Sequence, residues 1–272
     1  MKLWVLGTGS RGNAVLFEAG GARLLVDAGF GVRALESRLR AAGVAPESVA
    51  TCVITHEHAD HVRGAAPAAA KWGWTLHATA GTLDACPALA AAGARAFRAG
   101  ESVVVDGFDV ETAATSHDAR ESVAVAVTAR ATGARGAVCY DLGTAGEAVR
   151  GLLDGAEAVV LEANHDEGML RAGPYPASVS ARIAGRHGHL SNGAAGRLAR
   201  DVARAGLRHV VLAHLSESCN EPRLAADAVH AALAPTRFRG AVTPAPQDGV
   251  LGPLALVSGR AARHLGQLSL GL

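Results

Sequence analysis

Lysine is nearly missing from this 272-residue chain. Lys2 and Lys71 are the only two, so arginine supplies 24 of its 26 basic residues. With the abundance of alanine, that imbalance reads as compositional bias and not as phosphate recognition. The net charge of +1 carries no global signature of nucleic-acid binding. A polyanion would have to be held by a local patch or by bound metal. Aromatic residues are scarce too, at 4%, which leaves few platforms for stacking bases. The four cysteines, Cys52, Cys86, Cys139 and Cys219, form no CxxC pair. Three of them sit in or beside apolar runs, as reduced core thiols do. No apolar run approaches the length of a membrane span. The opening "MKLWVLGTG" breaks on glycines before an apolar h-region develops, so it does not read as a signal peptide. The expected location is the cytoplasm, with no membrane partner. No Pro- or Ser-rich linker and no short repeat divides the chain. The hydrophobic fraction of 49% and charged fraction of 19% are those of an ordinary folded protein. The organisation read from this is a single domain over residues 1–272, with a core to about 240 and a hairpin and tail over 241–272.

The first motif is "VLGTGSRGN", residues 5–13, in which Gly7, Gly9 and Gly12 have the G-x-G-x-x-G spacing of dinucleotide-binding loops. That reading needs a helix directly after the glycines to hold a pyrophosphate. The next residues are instead "NAVLFEAGGARLLVDAG", two alternating apolar runs broken by Gly20-Gly21, a β-hairpin pattern. A nucleotide cofactor is therefore not expected. The glycines are assigned to a tight strand-connecting loop, where Ser10, Arg11, Asn13 and backbone amides either touch a substrate phosphate or serve a purely structural turn.

Strand patterns lie near 2–6, 13–18, 22–27, 49–54, 74–78, 102–105, 108–115, 122–128, 136–140, 157–161 and 208–213. Helical patterns lie near 31–42, 60–71, 82–92, 144–153, 178–186, 193–205 and 222–233. Early hairpins followed by strand–helix alternation predict an α/β architecture, a mixed sheet system covered by helices. Four times an apolar β-like run leads directly into a metal-ligating residue: "CVITHEHADH", "VETAATSHD", "AVCYDLG" and "VVLAHLS". In α/β folds chemistry collects beyond the carboxyl ends of strands, so ligands scattered along the chain can converge on one edge.

The densest of these is "THEHADH", which carries His56, His58, Asp60 and His61. Imidazole suits zinc and similar divalent metals, and a carboxylate adds a harder oxygen. On a loop leaving a strand, His56 and His58 can point one way, while Asp60 and His61, at the start of the next helix, address a second ion. One metal cannot readily use four ligands at such close spacing.

This H-x-H-x-D-H pattern resembles the signature of the metallo-β-lactamase superfamily. The resemblance implies a four-layer αββα sandwich with a dinuclear site on one edge. It also implies further ligands: His117 in "TSHDA" joining His56 and His58, Asp141 in "CYDLG" bridging both ions, and His214 in "LAHLS" joining Asp60 and His61. Iron-type oxidoreductases of the superfamily carry glutamate where this chain has His58, which weakens a diiron reading. True β-lactamases carry cysteine in place of the bridging aspartate. Cys139 lies two residues from Asp141, on the same strand face by alternation, and Asp141 is the residue chosen. His77, His187, His209, His230 and His264 lack comparable context and are read as surface or core histidines.

The stretches "GTGSRGNA", "LLVDAGF", "TSHDA", "LEANHDEGML", "GPYPASVSARIAGRHGHLSN" and "LAHLSESCN" resemble more narrowly the YycJ/WalJ-like group, bacterial proteins described as 5′→3′ exonucleases. The likeness runs over residues 3–230, with Thr8, Arg11 and Cys219 as departures that replace no implied ligand. His189 in "GHLSN" resembles the histidine that phosphodiesterases of the tRNA-processing type place beside the scissile phosphate, as general acid or oxyanion stabiliser. A structural role at a helix start is the alternative, and Ser191 is placed to cap that helix. Asp60 and His189 are the implied catalytic residues. Asp27 is expected to orient a ligand or loop from behind. Asn164, His165 and Asp166 in "ANHDE", and Ser216, are substrate or ligand-supporting residues or else parts of polar turns.

Three functions compete. The first is hydrolysis of DNA from a 5′ end, with two divalent ions, Zn or Mn, and in-line attack on phosphorus by a hydroxide they share. The second keeps both ions but takes a small cyclic phosphodiester, thioester or lactone. The third, a non-catalytic metal-binding regulator, is disfavoured by the complete implied ligand set. Low aromatic content leans toward the second, and the group resemblance toward the first.

Overall fold

The computed structural model describes residues 1–257, so His264 and the expected tail beyond residue 257 lie outside the described residues. Strands β1 (Lys2–Gly7), β2 (Ala14–Ala19), β3 (Ala22–Val26), β4 (Thr51–Val53), β5 (Thr75–Thr79) and β6 (Arg95–Phe97) build one sheet. Strands β7 (Ser102–Val105), β8 (Phe108–Ala114), β9 (Val123–Ala129), β10 (Arg135–Cys139), β11 (Ala158–Glu162), β12 (His209–Ala213) and β13 (Ala241–Pro244) build the other. The last strand, β14 (Leu251–Ala255), returns to the first sheet beside β1, giving the orders β14-β1-β2-β3-β4-β5-β6 and β13-β12-β11-β10-β9-β8-β7.

Each sheet is antiparallel in one half and parallel in the other, with parallel pairing across β3-β4-β5-β6 and across β10-β11-β12-β13. Parallel neighbours need crossovers, and helices supply them. In the first sheet these are α1 (Val32–Ala41), α2 (Ala59–Val62), α3 (Ala65–Trp72), α4 (Ala80–Ala85) and α5 (Pro87–Ala91). In the second they are α6 (Glu147–Leu153), α7 (Glu167–Ala172), α8 (Ala177–Ile183), α9 (Asn192–Val202) and α10 (Pro222–Leu233).

Strand alternation sorts the core into three layers. Leu3, Val5, Val15 and Phe17 face Val125, Val127, Val138 and Val160 between the sheets. Their neighbours Trp4, Leu6 and Leu16 turn outward against α1 and α3. On the other side Val159 and Leu161 pack under α6, α9 and α10. The result is the expected αββα sandwich. Among the described residues no helix is long and apolar enough to cross a membrane.

Several local expectations are corrected. The helix read over 60–71 is two helices, because the chain must pass Phe30 at Gly64, where a Cβ would lie 2.1 Å from the Phe30 carbonyl oxygen. The helix over 82–92 breaks at Cys86, where Pro87 opens a new one. Strand β6 and helix α7 escaped the pattern reading, being three and six residues long. Residues 241–255 form no hairpin: β13 adds in parallel to β12, and β14 adds antiparallel to β1. Each finds a free edge on a different sheet, and tertiary pairing outweighs the local turn signal.

Candidate metal centre

The carboxyl ends of β3, β4, β8, β10, β11 and β12 meet on one rim of the sandwich. Backbone contacts stitch the first-sheet loops there together. Asn13 N–H donates to Asp60 O (2.8 Å), Gly29 N–H to Asn13 O (3.0 Å), and Ala28 N–H to His61 O (2.9 Å). The chains run so close that a Cβ on Gly29 would sit 1.6 Å from Asp60 O. The "GTGSRGN" stretch is the loop joining antiparallel β1 and β2, with Gly9 at φ +134°. No helix opens after it, which disposes of the dinucleotide reading. Asn13 folds its amide back into this loop, accepting from Thr8 Oγ1 (2.8 Å) and Gly9 N–H (2.9 Å).

All seven residues named as ligands from sequence come together. The donor atoms of His56, His58 and His117 lie within 4.8 Å of one another, and so do those of Asp60, His61 and His214. Asp141 groups with His56 and His61, and also with Glu162, His189 and His214. The hydrogen bonds behind the rings fix which nitrogen faces the cluster. His117 Nδ1–H donates to Gly188 O (3.2 Å), leaving Nε2 as a lone pair 3.2 Å from His58 Nδ1. His61 Nδ1–H donates to Asp27 Oδ2 (2.7 Å), so its Nε2 points toward Asp141. Thr55 Oγ1 also donates to Asp27 Oδ2 (2.8 Å), and its remaining lone pairs receive His56 Nδ1–H (3.0 Å).

This donor set fits a divalent cation. His56 Nε2 and Asp141 Oδ2 are buried 3.8 Å apart with no hydrogen-bond partner among the described residues. Orphaned buried polar atoms are costly unless something else satisfies them. His61 Nε2 stands 2.7 Å from Asp141 Oδ2 and 3.4 Å from Asp60 Oδ2, and His214 Nε2 3.3 Å from Asp60 Oδ2. Three imidazoles on one side and two imidazoles with carboxylates on the other form the nitrogen-and-oxygen environment that zinc-like ions prefer.

Burial and neighbouring charge shift the titrating groups of the cluster in both directions. Burial pushes the His56 ring well below its usual pKa, and neighbouring His61 adds to this. Burial would raise the Asp141 carboxyl, but His214 and His61 hold it well below the ordinary range. His189 is lowered by burial yet pushed up to about 11, chiefly by the charge of Glu162.

Three supporting residues escaped sequence reading. Glu162, fully buried at the end of β11, accepts His189 Nδ1–H (2.7 Å), His214 Nδ1–H (3.2 Å), Leu190 N–H (2.9 Å) and Leu142 N–H (3.2 Å). Burial opposes its charge, but His189 brings its pKa down to about 2. Tyr140 donates its hydroxyl to Asp27 Oδ2 (2.7 Å), and Thr55 links Asp27 to His56. Both flank motifs that were recognised, and a polar residue beside such a motif was the available signal. Asp27, Asp141 and His214 all adopt left-handed backbone, at φ 61°, 57° and 54°. Each such residue costs about 1–3 kcal/mol, and such strain clusters at functional sites.

The remaining assignments divide. Asp27 lies directly behind His61. Asn13 Nδ2 lies 3.3 Å from Asp60 Oδ2. Asn164 Nδ2–H holds His214 through its carbonyl oxygen (3.0 Å). His189 is not at a helix start; its Nδ1 is 3.2 Å from Asp141 Oδ1. Ser191 caps α9 as expected, accepting from Ala194 N–H. Asp166 caps α7 by accepting from Met169 N–H, and Ser216 accepts from Cys219 N–H, so both serve turns. Ser10 is exposed. Cys139 is buried in the layer beneath the helices and belongs to none of the donor groups. His187, with Nδ1 3.3 Å from Ser116 Oγ, belongs to a peripheral contact.

A family model described as Beta-lactamase superfamily domain matches residues 22–215. A Bacillus anthracis protein named exodeoxyribonuclease YycJ is 33% identical over 225 residues, covering 81% of this chain and 84% of that protein. A Streptococcus pneumoniae (serotype 2, strain D39) protein named exodeoxyribonuclease WalJ is 32% identical over 238 residues, 82% and 85% of the two chains. Among solved structures, the metallo-beta-lactamase fold protein YhfI from Bacillus subtilis has a TM-score of 0.71 at 18% identity, covering 92% of this chain and 99% of that one. The last is a likeness of fold.

Proposed function

The chain belongs to the β-lactamase superfamily, and from that premise we propose that it is a dinuclear 5′-to-3′ DNA exonuclease. By reaction class it is a metal-dependent hydrolase. The likeness to two exodeoxyribonucleases over about four fifths of the chain carries the choice of substrate. His56, His58 and His117 would hold one cation, Asp60, His61 and His214 the other, and Asp141 would serve both. Zn²⁺ or Mn²⁺ bound there would supply an acidified water and neutralise charge on phosphate oxygens.

The chain's own groups then divide the work. Asp27 and Gly188 keep protons on the far nitrogens of His61 and His117, so their lone pairs face inward. Asp60, whose side chain is 21% exposed against 2% for Asp141, is the carboxylate open to an incoming water. Glu162 occupies His189 Nδ1, leaving Nε2 to protonate a departing oxygen.

The test combines Mn²⁺ or Zn²⁺ with end-labelled single- and double-stranded DNA. Stepwise loss from the 5′ end, abolished in Asp141→Ala, is the expected result. Low aromatic content favours a second reading, a small cyclic phosphodiester, thioester or lactone as substrate. Intact DNA alongside hydrolysis of such a compound would establish it instead.

A further inference from the structure

Beyond His189, on the side away from the ligand cluster, a cleft of about 540 Å³ opens between α7, α8 and α9. None of the seven ligand residues lines it. His189 and Gly143 stand at its inner end, and Arg171 and Arg197 on its walls. No ion pair among the described residues involves either arginine; the nearby pairs use Arg182 with Asp118 and Arg150 with Asp201. His165 also lines the cleft; it is 2% exposed, and its Nδ1 has no hydrogen-bond partner among the described residues. One carboxylate, Glu167, is present, with Oε1 taken by the Ser191 hydroxyl (2.8 Å). Along the chain between the two walls, Tyr175 is 37% exposed, whereas Trp4, Trp72, Trp74 and Tyr140 are buried. Volume, cationic walls and an unsatisfied buried donor-acceptor ring describe a pocket for a small polar ligand with negative charge.

Resting on the exonuclease reading and on His189 as its acid, we propose that this cleft receives the 5′-terminal nucleotide of the substrate strand, with Arg171 and Arg197 engaging its 5′-phosphate. In-line displacement places the leaving oxygen opposite the attacking water. The bond from water oxygen to phosphorus forms as the bond from phosphorus to O3′ of the first nucleotide breaks. His189 gives its proton to that O3′, and the water's proton passes to solvent. The first nucleotide therefore lies on the His189 side, where the cleft is. The guanidinium groups on its walls can recognise a terminal phosphate by charge and planar hydrogen-bonding geometry.

Two measurements on the Mn²⁺-loaded protein test this, comparing wild type with Arg171→Ala/Arg197→Ala; both positions are exposed, and a thermal scan verifies folding. In calorimetric titration, wild type should bind thymidine 5′-monophosphate at least tenfold more tightly than thymidine, and the double variant should lose that preference. On oligonucleotides, a 5′-phosphate should lower KM about tenfold relative to a 5′-hydroxyl, an advantage absent from the variant. Equal binding of monophosphate and nucleoside, or a preference indifferent to both arginines, overturns the assignment. Should DNA remain intact while arginine-dependent monophosphate binding is seen, the exonuclease reading falls and the cleft stands as a 5′-nucleotide site.

Discussion

Replacing Asp27 by asparagine alters one buried oxygen or the other, and the structure shows why neither choice is tolerated. Oδ1 accepts the Thr55 backbone N–H, while Oδ2 accepts Thr55 Oγ1, His61 Nδ1 and Tyr140 OH, all at 2.7–2.8 Å. A carboxylate accepts at both oxygens; an amide presents two hydrogens on one side. If the new NH₂ faces Thr55 N–H, a buried donor is left unpaired at about 1–3 kcal/mol. If it faces His61 instead, the ring must carry its proton on Nε2, where the lone pair is needed for metal. The Thr55 hydroxyl then loses its acceptor too, and the proton on His56 is no longer directed to Nδ1. Asparagine tolerates the φ of 61° at this position, so backbone strain does not confound the comparison. Changes of this kind behind a ligand cost about 10–100-fold in metal affinity. Asp27→Asn should therefore bind Zn²⁺ about 10–100-fold more weakly in competition with a chromophoric chelator. Its metal-free form should melt lower by about 2–4 °C per kcal/mol lost. Wild-type affinity and an unchanged melting temperature together would refute the proposed role of Asp27.

Three further outcomes are expected from the same geometry. Removing metal by dialysis against a chelator should abolish hydrolysis and lower the melting temperature by about 10–20 °C, taking two ions each at about 100 times its Kd; calorimetry with and without added Zn²⁺ measures it. Gly29→Ala, whose Cβ would stand 1.6 Å from Asp60 O, should displace the Asp60–His61 backbone and lose metal from that side. Metal content by mass spectrometry of purified protein reads that loss directly. Glu162→Gln forces an NH₂ against donors on either side and should lower kcat about 10–100-fold with little change in KM, as steady-state kinetics will register.

The cluster of metal-ligating side chains was largely legible because its residues lie close together: His56, His58, Asp60 and His61 occupy six residues shortly after a strand. His117, Asp141 and His214 each come after an apolar run, and strand ends share a rim. Glu162 was not legible. It closes "AVVLE", where an acid reads as the polar end of a strand, and its worth comes from Leu142, His189, Leu190 and His214, none adjacent to it in sequence. The left-handed backbone of Asp27, Asp141 and His214 cannot be read from residue type alone: aspartate and histidine are enriched there but adopt other conformations far more often. Pattern alone found α10 with its observed bounds, Pro222–Leu233, because a proline opens it and an apolar stripe runs its length. The same reasoning failed for β13 and β14, whose partners are set by edges left vacant elsewhere.

The two sheets divide the site in a way that explains its dependence on the whole fold. Asp27, His56, His58, Asp60 and His61 follow strands of the first sheet, while His117, Asp141 and His214 follow strands of the second, Glu162 ends its β11, and His189 comes from the segment between α8 and α9. Neither donor triplet is complete on one side: His56 and His58 require His117, and Asp60 and His61 require His214. What sets these distances is the layer of Leu3, Val15 and Phe17 against Val125, Val138 and Val160. Interiors packed to crystal-like density transmit changes in volume instead of absorbing them, and placement errors of about 1 Å matter for a reacting constellation. The apolar layer between the sheets is thus part of the apparatus that positions the candidate metal centre.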